Sequence, residues 1–220
     1  MEQNKIIIDD TPIGNSEKCY VIAEIGINHN GKLDIAKKLI DVAVESGANA
    51  VKFQKRNLDD LYREDALNDP NIESQGFEIL IQVLKEVEFN EKDYEEILNY
   101  CREKNITFLC TAWDKQSVDF LEKLNVHAYK IASADMTNFP LIEYIIKTHK
   151  PIIISSGMST LEEIENTVEF LKNKNSKFIL LHCNSTYPAP IEQLNLELIP
   201  EFKKKFSIPI GYSGHEQGII

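Results

Sequence analysis

Val21-Ile22-Ala23-Glu24-Ile25-Gly26-Ile27-Asn28-His29-Asn30-Gly31, VIAEIGINHNG, is the stretch whose reading decides the fold. An apolar run from Val21 to Ile27 carries one carboxylate, Glu24. It breaks at Gly26 into the polar loop Asn28 to Gly31, after which a helical pattern begins. That order predicts a buried strand delivering polar groups at its C-terminal end. An uncompensated buried carboxylate costs several kcal/mol, so Glu24 is expected either to hold a neighbouring lysine or to take part in chemistry.

Outward from this strand the same order repeats. Leu33 to Ser46 has apolar residues at Ile35, Leu39, Val42 and Ala43, one face of a helix, with Gly47 where a stop belongs. Strands are predicted at Ala50 to Gln54, Ile106 to Thr111, His127 to Ala132, Pro151 to Ser155, Phe178 to Cys183 and Ile208 to Tyr212. Helices are predicted over Phe77 to Val87, over Glu91 to Lys104 behind an Asn90 cap, and after Asp114 with Val118, Leu121 and Leu124. Further helices are predicted over Pro140 to Thr148, up to Lys172 behind a Ser159-to-Glu162 capping box, and over Leu198 to Phe206. Lys55 to Gln75 is polar and acidic, the composition of a functional loop or lid. Lys5 to Glu17 reads as a small strand or hairpin that precedes the main domain and plugs one end of its core.

Seven strands in βα order imply a parallel sheet. Their near-continuous apolar character, with polar residues at the C-terminal ends, favours a (β/α)8 TIM barrel over a doubly wound sheet. No GxGxxG follows the first strand. The expected α/β fold is therefore an incomplete (β/α)8 barrel with about seven of its eight strands, residues 1–18 forming a leader and 19–220 the barrel domain. A chain one strand short of closure reads as part of a longer protein.

A net charge of −11, without a block of lysines or arginines, argues against a nucleic-acid or anionic-membrane surface. An anionic ligand must then be held by local cations against the overall field. Cys19, Cys101, Cys110 and Cys183 have no CxxC spacing, which fits a reduced cytoplasmic setting. No apolar run approaches the ~18 residues of a membrane span.

Alternation along strands puts Lys52 and Gln54 on one face, and Lys130 sits similarly in its own strand. With Thr111, Ser133, Ser155 and Ser213 at equivalent strand ends, they suggest a phosphate or carboxylate site built from charge and hydroxyl donors. Lys52 alone could equally pair with Glu24. His215 after the last strand is a loop residue or a ligand, His182 an interior histidine, and His29 is undecided. Local spacing establishes no metal site. Cys110 and Cys183 read as small buried apolar groups, and Trp113 either lines a cavity or wedges between helices.

The ordered set IAEIGINHNG, AVKFQ, CTAWD, YKIASADMTNFPLI, SSGMST, LHCNSTYPAP and GYSGHEQGI resembles the N-acetylneuraminate (sialic acid) synthase family, which includes legionaminate and pseudaminate synthases. The resemblance covers the chain from about Cys19 onward. It implies a TIM-barrel transferase that condenses phosphoenolpyruvate with an N-acetylmannosamine-type sugar, releasing phosphate, with a divalent metal, Mn2+ or Mg2+. By position it implies phosphoenolpyruvate binding by Lys52, Thr111, Lys130, Ser133, Ser155, Ser185 and Ser213. It implies sugar binding by Gln54, Asp135 and Tyr187, metal binding by His215, and Glu24 as the catalytic carboxylate. It further implies a cytoplasmic homodimer whose antifreeze-like C-terminal domain and second metal histidine, on the eighth strand, lie beyond Ile220.

Some family members carry Asn at the position of Ser185 and Glu at that of Asp135, so the phosphate and sugar contacts here differ in detail. Two other functions suit the residues: a Schiff-base aldolase or lyase using Lys130, and a non-catalytic module that binds phosphorylated metabolites.

Overall fold

The computed structural model describes residues 5–14, 16–64 and 77–218. The chain divides into two compact units, one running from Tyr20 to Val126 and the other combining Met1–Cys19 with His127–Ile220.

In the first unit, strands β3 (Ile22–Gly26), β4 (Ala50–Lys55) and β5 (Thr107–Ala112) pair in parallel, in chain order. Helices α1 (Leu33–Glu45), α2 (Leu58–Leu61), α3 (Phe77–Val87), α4 (Glu91–Glu103) and α5 (Lys115–Lys123) connect and cover them. Parallel strands need such crossovers, and burial on both faces explains the apolar runs. β5 is buried at every position. Phe53 stacks on Phe108 at 5.7 Å, and Ile40, Ile97, Leu109 and Leu121 complete the core. Asn90 caps α4 in a full capping box with Asp93, and Asp114 caps α5 through the Ser117 N–H.

Two expectations are corrected here. The face α1 buries is Ala36, Ile40 and Ala43, so Val42 lies outward at 58% exposure. Among the described residues β3 is an end strand that pairs with β4 alone, and Val21 and Glu24 are open to solvent, so Glu24 is not a buried carboxylate. Residues 65–76 of the expected Lys55-to-Gln75 loop lie outside the described residues. Its beginning forms α2, capped by Asn57.

The second unit opens with an antiparallel hairpin, β1 (Ile6–Ile8) and β2 (Thr11–Ile13), which buries Ile6 and Ile8. Strands β6 (Tyr129–Ile131), β7 (Ile152–Ser155), β8 (Phe178–Cys183) and β9 (Ile210–Ser213) are parallel and again in chain order. They alternate with α6 (Phe139–Ile146), α7 (Leu161–Asn173) and α8 (Leu198–Phe206). The N-terminal leader is therefore a hairpin, and Asp9 beside it pairs with His127 at 3.2 Å. The capping box of α7 lies one residue later than expected. Thr160 caps and Glu163 answers it, because the N3 side chain has to reach back to the cap's N–H.

Counted from β3, seven strands are each followed or preceded by helices in the βα rhythm of a (β/α)8 barrel. An eighth barrel strand is not found among the described residues.

Candidate active site

In the unit from Tyr20 to Val126, the polar groups gather at the C-terminal ends of the strands. Alternation turns Val51 and Phe53 into the core and Lys52 and Gln54 to the opposite face. Lys52 Nζ lies 2.5 Å from Glu24 Oε2 and donates to Thr111 Oγ1 at 3.0 Å. The Lys52 side chain is 8% exposed, whereas that of Glu24 is 51% exposed. Of the two alternatives read for Lys52, the pairing with Glu24 is present, and a strand-end hydroxyl lies beside it. An ammonium has three donors, and these contacts use two of them.

The strand register explains the contact with Thr111. Lys52 lies opposite Leu109, and the hydroxyl it reaches is two residues further along β5.

Gln54 accepts a hydrogen bond from Arg56 through its side-chain oxygen, and its backbone carbonyl accepts from Tyr94 Oη at 2.5 Å. Arg56 was not singled out in the sequence. It continues the every-second-residue series Lys52, Gln54, Arg56, and that spacing is the signal that points to it. It is buried, and its guanidinium sits 5.1 Å above the Trp113 ring, which assigns Trp113 to a local stack. His29 is buried, stacked on Phe89 at 4.0 Å, with Nδ1 accepting the Gly31 N–H. Burial lowers its pKa to about 4 against an opposing backbone hydrogen bond with Gly26, so it is a neutral interior histidine. A separate cavity of about 690 Å3 in this unit is lined by Arg56, Asn57, Lys85, Glu88, Gln116 and Lys123 among others.

The unit containing His127–Ile220 repeats the lysine–hydroxyl geometry. Lys130 lies opposite Ile153 on β7, and its Nζ donates to Ser155 Oγ, again two residues beyond, at 2.7 Å. Lys130 also donates to the Ile131 carbonyl at 2.8 Å. Ser133 opens a 3-10 turn after β6, and its hydroxyl accepts the Gly157 N–H at 3.1 Å. A β-carbon on Gly157 would stand 2.8 Å from that hydroxyl, so this close approach requires glycine. Asp135, in the same turn, accepts from Asn138 through Oδ1, while its Oδ2 is buried without a partner among the described residues. Burial holds its carboxyl above the usual range, opposed by the Asn138 hydrogen bond.

Ser185 is exposed and, with Gly157, Cys183 and Asn184, lines a cavity of about 240 Å3. His182 is buried and bonded to the Leu194 carbonyl at 2.7 Å, as expected of an interior histidine. Cys110 and Cys183 are both buried, and burial drives the Cys110 thiol well above its ordinary range.

Tyr187, 79% exposed, and His215 come together edge-to-face with ring centroids 5.0 Å apart. The Ala189 N–H donates to the His215 carbonyl at 2.9 Å, which ties the loop after β8 to the loop after β9. Ser213 ends β9 opposite Cys183. His215 Nδ1 is buried without a partner among the described residues, a donor atom suited to one ligand position of a metal. Glu216, three residues past β9's last strand position, instead accepts from Tyr212 Oη at 2.8 Å. Among the described residues no group of three or more His, Cys, Asp or Glu is arranged to hold an ion. The described residues thus fit a metal at one position, His215.

Parallel strands in βα order, with ammonium and hydroxyl groups at their C-terminal ends, define a barrel-type α/β protein. The NeuB family profile matches residues 39–220, and the chain belongs to that family. It is 39% identical to human N-acetylneuraminate-9-phosphate synthase over 209 residues, covering 94% of this chain and 58% of that protein. It is likewise 39% identical to the N,N'-diacetyllegionaminic acid synthase of Campylobacter jejuni, covering 92% of this chain and 62% of that protein. A crystal structure of the N-acetylneuraminic acid synthetase of Leptospira borgpetersenii, in complex with citrate, superposes with a TM-score of 0.88 at 35% identity. That match covers 98% of this chain and 71% of the other. The chain therefore spans about 60% of the length of these curated relatives, which are synthases of carbohydrate biosynthesis. No described helix is long and apolar enough to cross a membrane.

Proposed function

We propose that this chain is the barrel part of a nonulosonic acid synthase, a transferase that condenses phosphoenolpyruvate with N-acetylmannosamine or a related 2-acetamido sugar and water, releasing phosphate. One observation carries the reading within a NeuB-family chain: the same device occurs twice, a buried strand-end lysine bonded to a hydroxyl two residues past its register partner, Lys52 with Thr111 and Lys130 with Ser155. Each device is an anion-binding element whose ammonium offsets phosphate or carboxylate charge. Ser133, Ser185 and Ser213 add hydroxyl donors.

The reaction joins C3 of phosphoenolpyruvate to the aldehyde carbon and leaves a cationic C2. Water captures that centre before phosphate departs. Glu24, exposed and held by Lys52, orients or deprotonates the water. Gln54, Asp135 and Tyr187 contact the sugar. His215 would hold a divalent metal, Mn2+ or Mg2+, and that ion when bound supplies Lewis acidity toward the aldehyde oxygen. The working protein is a cytoplasmic homodimer.

Phosphate release from phosphoenolpyruvate by the full-length protein with Mn2+ tests this reading, comparing N-acetylmannosamine, its 6-phosphate and a 2,4-diacetamido-6-deoxy sugar. Release with one sugar confirms the reaction and identifies the acceptor branch. Lys52→Met or Lys130→Met lowers kcat/KM by roughly 100-fold or more, the usual scale for removing one charge-stabilising donor. No release with any sugar, from folded and metal-loaded protein, overturns the reading.

A further inference from the structure

Resting on that reading, we infer that Arg56 is a positioning residue for acceptor recognition: it sets the polarity of the Gln54 side-chain amide. Arg56 is a donor only, so the amide atom it bonds has to be the oxygen, and the hydrogen bond falls on Gln54 Oε1. The amide nitrogen is thereby turned the other way. Gln54 Nε2 and Glu24 Oε1 lie 3.3 and 3.2 Å from the point where a β-carbon on Gly26 would stand. The amide NH2 is thus directed toward Gly26 and the exposed Glu24 carboxylate. There it can donate to a hydroxyl or carbonyl oxygen of a bound sugar.

Two further observations separate Arg56 from an ordinary structural arginine. It is 6% exposed, and one terminal nitrogen, Nη1, is buried with no partner among the described residues. A buried guanidinium with an unsatisfied donor is destabilising relative to an apolar side chain of similar size. Its plane is also held at 5.1 Å over Trp113, which limits the guanidinium to the orientation that reaches Gln54. Neighbouring donors do not replace it. Lys55 is engaged with Glu88 at 2.7 Å and with the Arg56 carbonyl at 3.2 Å.

Without Arg56 the Gln54 amide can rotate, and the acceptor meets either its oxygen or its nitrogen. The expected consequence is selective for the sugar. In the full-length protein with Mn2+, Arg56→Ala raises the KM for the acceptor about tenfold and leaves the KM for phosphoenolpyruvate unchanged, as for loss of one charge-assisted contact. Arg56→Lys, which keeps a donor and the buried charge, recovers part of that loss. The double variant Arg56→Ala, Gln54→Ala is no worse than Gln54→Ala, because the arginine acts only through the amide. Selective 15N labelling of glutamine provides a readout independent of turnover. The Gln54 side-chain 1H–15N signals report an ordered amide in the unsubstituted protein, and in Arg56→Ala they shift and their order parameter falls as the amide turns about the Cγ–Cδ bond. An unchanged acceptor KM, multiplying single effects, or Gln54 amide signals indifferent to Arg56 would each overturn the inference. Absence of phosphate release from unsubstituted protein would remove the synthase reading instead, and the amide signals would still decide the role of Arg56.

Discussion

His29 illustrates how one residue changes meaning between sequence and fold. In the sequence it stands in a polar loop; in the structure it is 2% exposed and stacked on Phe89. Its imidazole titrates near 6.5 when free and near 4 when folded, because burial disfavours the cation. Between those values the unfolded chain binds a proton that the folded chain does not. Stability is therefore complete above pH 6.5 and falls as the pH drops toward 4, by up to about 3 kcal/mol from this residue. Urea midpoints measured from pH 7 to pH 4 should decline more steeply for the unsubstituted chain than for His29→Phe. Parallel declines would show that His29 is not the group responsible. Glu24 makes the opposite journey. Its apolar neighbours suggest burial, yet it is exposed, since that inference needs a strand flanked on both sides and, among the described residues, β3 pairs only with β4.

At the scale of elements, most helices and strands are legible because their causes are local. Asn90 and Asp114 have short polar side chains that cap the next turn, and Phe178 to Cys183 is a strand at the predicted bounds. Glycines test how far local reasoning goes. Gly31 and Gly47 both take left-handed backbone, with φ of +68° and +77°. A β-carbon on Gly47 would meet nothing within 4 Å, whereas one on Gly31 would stand 2.5 Å from the Glu86 carbonyl oxygen at the end of α3. Gly47→Ala should cost about 1 kcal/mol, the conformational term alone. Gly31→Ala should cost roughly 2–4 kcal/mol, since backbone must also move. Chemical denaturation of the two variants checks the ratio, and equal losses would show that the Glu86 contact is not a constraint.

At the scale of the whole molecule, the sheet order ends in β3 and β9, each with one neighbour among the described residues. An end strand presents unpaired N–H and C=O groups, and Val21 beside β3 adds an exposed apolar side chain. The 220-residue chain by itself is expected to self-associate, with an apparent size on gel filtration that grows with concentration. Val21→Lys should reduce the effect by placing charge at the edge. A concentration-independent monomer would contradict the expectation. The net charge of −11 opposes such association only within the roughly 10 Å reach of charges at ordinary salt.

By itself the sequence determined the order of strands and helices, their parallel arrangement and the candidate lysines, because hydrophobic period, caps and alternation act over a few residues. Only the tertiary structure decided that Lys52 reaches Thr111 and Lys130 reaches Ser155, that Glu24 is open to solvent, and that Arg56 holds Gln54. Those contacts depend on strand register and on which neighbours a strand has, and neither is encoded in the spacing within any single segment.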